Sequence, residues 1–160
     1  RHSSGETVRK LLKEQHITLE AYNRMAANEH DLDEKIDAEL RSLRDENDIV
    51  VDSRLGFYWI PDSFKVYLDL DIEVATARIF RDIQTNATRD NEGGDHTFES
   101  VTQSVKERME NERKRFMSLY EVDPYNKDNF DYIINTSHHT PQSVALVVSE
   151  VYKNWLQSDS

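Results

Sequence analysis

Three short runs rich in β-branched and aromatic residues, separated by long stretches of helical periodicity, constrain this chain most. Residues 48–52 (DIVVD), 64–70 (FKVYLDL) and 132–135 (YIIN) have the composition of strands. No Asn-Gly or Asp-Gly dipeptide offers a two-residue hairpin turn, so successive strands need crossover connections. The spacing predicts helices over 7–13, 18–25, 31–46, 71–83, 97–120 and 141–156. In the third of these, Leu32, Ile36, Leu40 and Leu43 make one apolar stripe. Thr18 is a plausible N-cap of the second, and Thr97 and Ser100 are alternative caps of the long helix. Thr140 followed by Pro141 is a strong helix start, with proline at the first helical position. Strands alternating with helices predict an α/β fold built on a parallel sheet.

At 160 residues the chain predicts one domain. It has no cysteine, which excludes disulfides and thiolate metal sites. A formal charge of -11, from 31 acidic and 20 basic residues, argues against a nucleic-acid partner. No apolar run approaches the roughly 20 residues that span a bilayer, and the N-terminus has no signal-peptide core. A cytoplasmic protein without a membrane partner is expected. Hydrophobic residues make up 37%, below the ~45–50% of an average domain, and there are four glycines.

In so acidic a chain, clustered arginines point to an anion. Over 97–120, Val101, Val105, Phe116 and Leu119 share one helical stripe, and Arg108, Glu112 and Arg115 interrupt it. Two readings stand: an Arg-Glu-Arg network at the rim of the core, or a phosphate clamp in which Glu112 holds both arginines. Asp52-Ser53-Arg54 follows the first strand run, at the carboxyl end where open α/β sheets bind ligands. It is either a turn or a site where Asp52 meets magnesium through water and Arg54 meets phosphate. Residues 3–9 (SSGETVR) open a helix with hydroxyls and a glycine, as ordinary caps and anion sites both do. The glycine-containing stretch 86–95 (NATRDNEGGD) reads as a loop or lid between helices, with Arg78 and Arg81 near it. His138-His139 is the one histidine pair, and adjacent residues on an extended chain diverge too far for a metal site.

In order along the chain, SSGETVR, ITLEAYNRMAANEHDLDEKID, IVVDSRLG, ERMENERKRFMSLYEVD and FDYIINTS resemble the motifs of the archaeal-type cytidylate kinases. The resemblance implies a P-loop nucleoside monophosphate kinase fold, a three-layer parallel sheet flanked by helices. Residues 1–160 then form a single kinase-like domain, with 1–47 as nucleoside monophosphate-binding helices and 84–97 as a lid-like loop. It implies transfer of the γ-phosphoryl group of ATP to CMP or dCMP with Mg2+.

By the same resemblance, Ser4, Arg9 and Arg54 hold the acceptor nucleotide. Arg108 and Arg115 clamp phosphates, Glu112 orients them or the sugar, and Arg78 stands near the ATP phosphates. Asn135, Thr136, Ser137 and His138 border adenine; Asp52 is the metal candidate from its own place at the end of the first strand run. Ser53 stands where the family usually has glycine. The lid is longer than in the shortest relatives, so Arg89 receives no role. The family opens with a strand and a G-x-x-x-x-G-K-[ST] loop that cradles the β- and γ-phosphates. Gly5, Gly56, Gly93 and Gly94 do not make that spacing. The central first strand is therefore expected to be absent from residues 1–160, leaving a gap between the first two strand runs and the third. The chain alone is expected to be inactive; a non-catalytic nucleotide-binding or interaction domain, or a related kinase with another acceptor, are the alternatives.

Overall fold

The computed structural model describes residues 1–14, 31–85 and 97–158, the side chains of residues 11, 12, 14, 31 and 32 excepted. The helix expected over 18–25 and most of the lid-like loop, Arg89 included, lie outside them. The elements run β1 (His2–Ser3), α1 (Ser4–Glu14), α2 (Asp31–Ser42), β2 (Val51–Asp52), α3 (Gly56–Trp59) and β3 (Val66–Asp69). They continue with α4 (Ile72–Thr85), α5 (Phe98–Tyr120), a 3-10 turn (Lys127–Asn129), β4 (Tyr132–Asn135) and α6 (Pro141–Ser158).

All strand pairing among the described residues is parallel. β1 pairs with β2, His2 opposite Val51, and β3 pairs with β4, Val66 opposite Tyr132 through Asp69 opposite Asn135. The strands form two two-stranded sheets and not the single sheet expected. The gap expected before the third strand run is not there, because β3 and β4 bond directly. β2 and β3 each keep one edge without a strand neighbour among the described residues. Val50 and Leu68, beside and on those strands, are 70% and 57% exposed, although Ile134 opposite Leu68 is buried.

Several boundaries differ from the sequence expectation for local reasons. The 48–52 strand shrinks to two residues because Asp48 has φ 58, which breaks an extended run at its start. The helix expected to 46 ends at Ser42, where Leu43, Arg44 and Glu46 donate to carbonyls three residues back and tighten the chain into turns. α1 begins earlier than residue 7, directly after a strand the sequence reading did not include. In α5, Thr97 is the N-cap and Ser100 reciprocates in a capping box, so the two residues act together. Glu121, left-handed at φ 57, ends that helix. Thr140 and Ser143 exchange the equivalent bonds at the start of α6.

The core lies where α2, the α3 region and α5 meet. Leu40, Leu55 and Phe116 are buried together, with Ile36, Val51, Phe57, Trp59, Tyr120 and Val122 packed around them. Val101 and Val105 continue the buried stripe of α5, which lies along α4, where Thr102 Oγ1 donates to the fully buried Thr76 Oγ1 at 3.2 Å. Phe64 stacks on Tyr152 and Trp155 and so ties α6 to the start of β3. A ring chain, Phe57 to Phe130 to Tyr67, links α3 to the second sheet. Phe116→Ala is expected to cost about 3–5 kcal/mol, since it empties the centre of this cluster. Leu146→Ala, at a residue 71% exposed, should stay within about 0.5 kcal/mol. Urea denaturation of the two variants checks the contrast.

Candidate functional site

Arg108, Glu112 and Arg115 sit on the buried stripe of α5; other elements deliver partners to Glu112 and Arg115, and Arg108 pairs with Glu112 on the same helix. Glu112 is the hub. Arg54, two residues beyond β2, donates from Nε to Glu112 Oε2 at 2.9 Å. Tyr125, from the loop after α5, donates its hydroxyl to the same oxygen. Arg108, one helical turn earlier, places Nε 4.0 Å from Glu112 Oε1. That nitrogen is buried and makes no hydrogen bond among the described residues. The Glu112 side chain is 16% exposed against 51% for Arg54 and 40% for Arg108, so the carboxylate is the most enclosed of the three.

The sequence pairs Glu112 with Arg108 and Arg115. The geometry gives it Arg54 in place of Arg115. Arg115 turns to α2, with Nε 3.5 Å from Asp33 Oδ2 and both side chains nearly buried. Arg54 comes from a segment 58 residues away, and such a pairing is not visible in helical spacing. Also missed were Tyr125 and the two buried aspartates of α2. Asp37 accepts from Trp59 Nε1 at 2.8 Å and from the Tyr120 hydroxyl. The signal for the aspartates is their four-residue spacing beside the Ile36–Leu40 stripe. No local pattern marks Tyr125.

Electrostatics follow the geometry. Burial works against the charge of Arg54, but Glu112, Tyr125 and Asp52 outweigh it and hold its pKa above the ordinary value. Burial, reinforced by Glu112, pushes the Tyr125 phenol well up, and burial with Asp37 does the same to Tyr120. Both therefore remain donors at any physiological pH.

The remaining sequence-derived residues fall into two groups. Ser4 opens α1 and Arg9 lies one turn on, its guanidinium folded near Gly5. The adjoining Ser3 donates to Asp52 Oδ2 at 3.2 Å, which brings the α1 start beside the Asp52–Arg54 turn. Asp52 is exposed, and among the described residues no three histidine or acidic side chains gather as a metal cage. A lone exposed carboxylate suits Mg2+, which keeps water and phosphate oxygens as its other ligands. The second group lies at the end of β4. Arg78 donates to the carbonyls of Thr136 and Ser137 at 2.8 and 3.4 Å. Thr136 is buried on Asp69 O, Ser137 Oγ bonds Asp71, and Asn135 Oδ1 accepts from Ser137 N. His138 is exposed beside them. Arg78 thus braces the loop after the last strand.

No family model matches the chain, and no solved structure does. Among curated proteins it is similar to the cytidylate kinase of Sulfurisphaera tokodaii, 29% identical over 157 residues, covering 96% of this chain and 81% of that one. It is 30% identical over 139 residues to the cytidylate kinase of Pyrobaculum neutrophilum, covering 85% of this chain and 69% of the relative. It is also 30% identical over 138 residues to an S-adenosylmethionine-dependent nucleotide dehydratase of Lacinutrix mariniflava, covering 86% of this chain but 27% of that protein.

The Tyr125 bond makes a signed pH prediction. With its folded pKa raised, the phenol contributes stability fully below its unfolded value of about 10, and that contribution is lost as pH rises through the folded value. The melting-temperature advantage of wild type over Tyr125→Phe should be constant from pH 7 to 9 and shrink above about pH 10.

Proposed function

The chain belongs to the cytidylate kinase family, and from that premise we propose that its parent reaction is ATP-dependent phosphorylation of CMP or dCMP. The observation that carries this reading is the Glu112 hub, where one largely enclosed carboxylate gathers the more exposed Arg54 and Arg108. Guanidinium suits the task because it stays charged and binds phosphate oxygens in a fork. Arg54, with Ser4 and Arg9 on the α1 side, receives the acceptor phosphate. Arg108 and Arg115 neutralise charge on the group in transit. Glu112 orients Arg54 and Arg108 and does no proton chemistry, since phosphoryl transfer is driven by positioning and electrostatics. Asp52 meets Mg2+ through water, and the metal, when bound, draws charge from the phosphate oxygens. Arg78 serves the ATP side by holding the Asn135–His138 loop against adenine.

The fold extends the same reading. The edges of β2 and β3 that have no strand neighbour among the described residues are where a central parallel strand belongs, and the exposure of Val50 and Leu68 supports its position. Residues 1–160 hold no G-x-x-x-x-G-K-[ST] loop, so within them nothing cradles the β- and γ-phosphates. This favours a second reading for the 160-residue chain by itself, a nucleotide-binding domain without turnover.

Two assays test these readings. The 160-residue chain should show no phosphoryl transfer from ATP above background, and a chain extended before Arg1 by a P-loop strand should convert CMP or dCMP to the diphosphate. In the extended chain, Arg115→Met should cut turnover by about 10³-fold while the protein remains folded. Robust turnover by the 160-residue chain contradicts the account of the missing loop. Unchanged turnover per folded Arg115→Met molecule, with lowered melting, makes the charged stripe architecture alone.

A further inference from the structure

Arg115 is the most enclosed of the three arginines. Its side chain is 15% exposed, and its partner Asp33 is 6% exposed. Asp33 lies in the first turn of α2, and four residues on, Asp37 holds Trp59 and Tyr120. One face of α2 therefore grips α5 at two points, residues 115 and 120. The grip at 120 is made of neutral donors and docks the helices. The grip at 115 is made of an ion pair, so it also fixes where a cation stands. Glu112, which the helical spacing would assign to Arg115, is occupied by Arg54 and Arg108. Phe116, the next residue, is buried in the core, and the Arg115 guanidinium lies 4.9 Å from its ring centroid, which limits its rotamers further.

We propose that Asp33 is the positioning residue for Arg115, presetting its guanidinium from α2 to receive a phosphate-bearing ligand. The idea rests on reading the α5 stripe as a phosphate site. A long side chain loses rotamer freedom when it binds an anion, and one already held loses less, so the Asp33 carboxylate raises affinity for phosphate without touching the ligand. It also couples the two helices. The place of α2, which carries Asp33, sets the place of the cation on α5.

The test uses the whole chain, with calorimetric titration of CMP and, separately, cytidine into wild type, Asp33→Asn, Asp33→Glu, Arg115→Met and the Asp33→Asn/Arg115→Met double variant. Asp37→Asn is the control for helix docking. Asp33→Asn should lose about tenfold in CMP affinity, with cytidine affinity unchanged, and should add nothing in the Arg115→Met background. Asp33→Glu, which keeps the charge but moves it, should recover part of the loss; if Asp33→Asn does not fold, a loss of CMP affinity in Asp33→Glu with cytidine unmoved carries the test instead. Asp37→Asn should melt earlier while binding CMP as wild type does. The proposal is overturned if Asp33→Asn binds CMP normally, loses CMP and cytidine alike, or adds its loss to that of Arg115→Met. Wild type that binds no CMP overturns the functional reading itself, and this proposal with it.

Discussion

Carboxylates buried against the apolar seam between helices are the constraint on which the rest of this structure depends. An isolated charge in such a place costs several kcal/mol, so each must find partners or the seam cannot close. Glu112 takes Arg54, Arg108 and Tyr125. Asp33 takes Arg115, and Asp37 takes Trp59 and Tyr120. These partners come from the turn after β2, from α3, from α5 and from the loop beyond it. Satisfying three acids therefore fixes the mutual placement of α2, α3 and α5 around Leu40, Leu55 and Phe116. A seam of hydrocarbon alone would be at least as stable, since buried ion pairs rarely outperform apolar packing. What the charges add is a pair of guanidinium groups, Arg54 and Arg108, more exposed than the carboxylate that holds them.

That division between base and face organises the site. The acids lie beneath, nearly buried, while Arg54 and Arg108 are about half exposed. Tyrosine and tryptophan donors supply hydrogen bonds to the acids without adding charge. Asp37 is thus satisfied by neutral donors alone, Asp33 pairs with Arg115, and Glu112 pairs with two arginines, Arg54 and Arg108.

Much of the architecture is legible in the sequence because it depends on local rules. The Thr97 and Thr140 starts and the α5 stripe follow from capping chemistry and helical period. The strand cores of β3 and β4 follow from β-branched composition. Arg108, Glu112 and Arg115 stand out as charges on an apolar face. What the sequence does not reveal is pairing across distance. Arg54 with Glu112 and Arg115 with Asp33 join segments far apart in the chain, and helical spacing favours the wrong partner for Arg115. The β1 strand is two residues long and carries no pattern of its own; it exists because Val50 and Val51 offer a backbone edge to His2. The left-handed Asp48 likewise leaves no mark in a stretch that otherwise reads as strand.

The central claim is that the arginines on this seam meet the phosphate of a nucleoside monophosphate. Arginine Nε resonances, followed by ¹H–¹⁵N NMR of the labelled chain during titration with CMP and then with cytidine, address it directly. The account predicts that the Nε signals of Arg54, Arg108 and Arg115 shift with CMP and stay in place with cytidine, while that of Arg113, held on Asp123 and Glu110, does not move with either. Signals of the three arginines that stay fixed at saturating CMP, or that shift equally with cytidine, would contradict it.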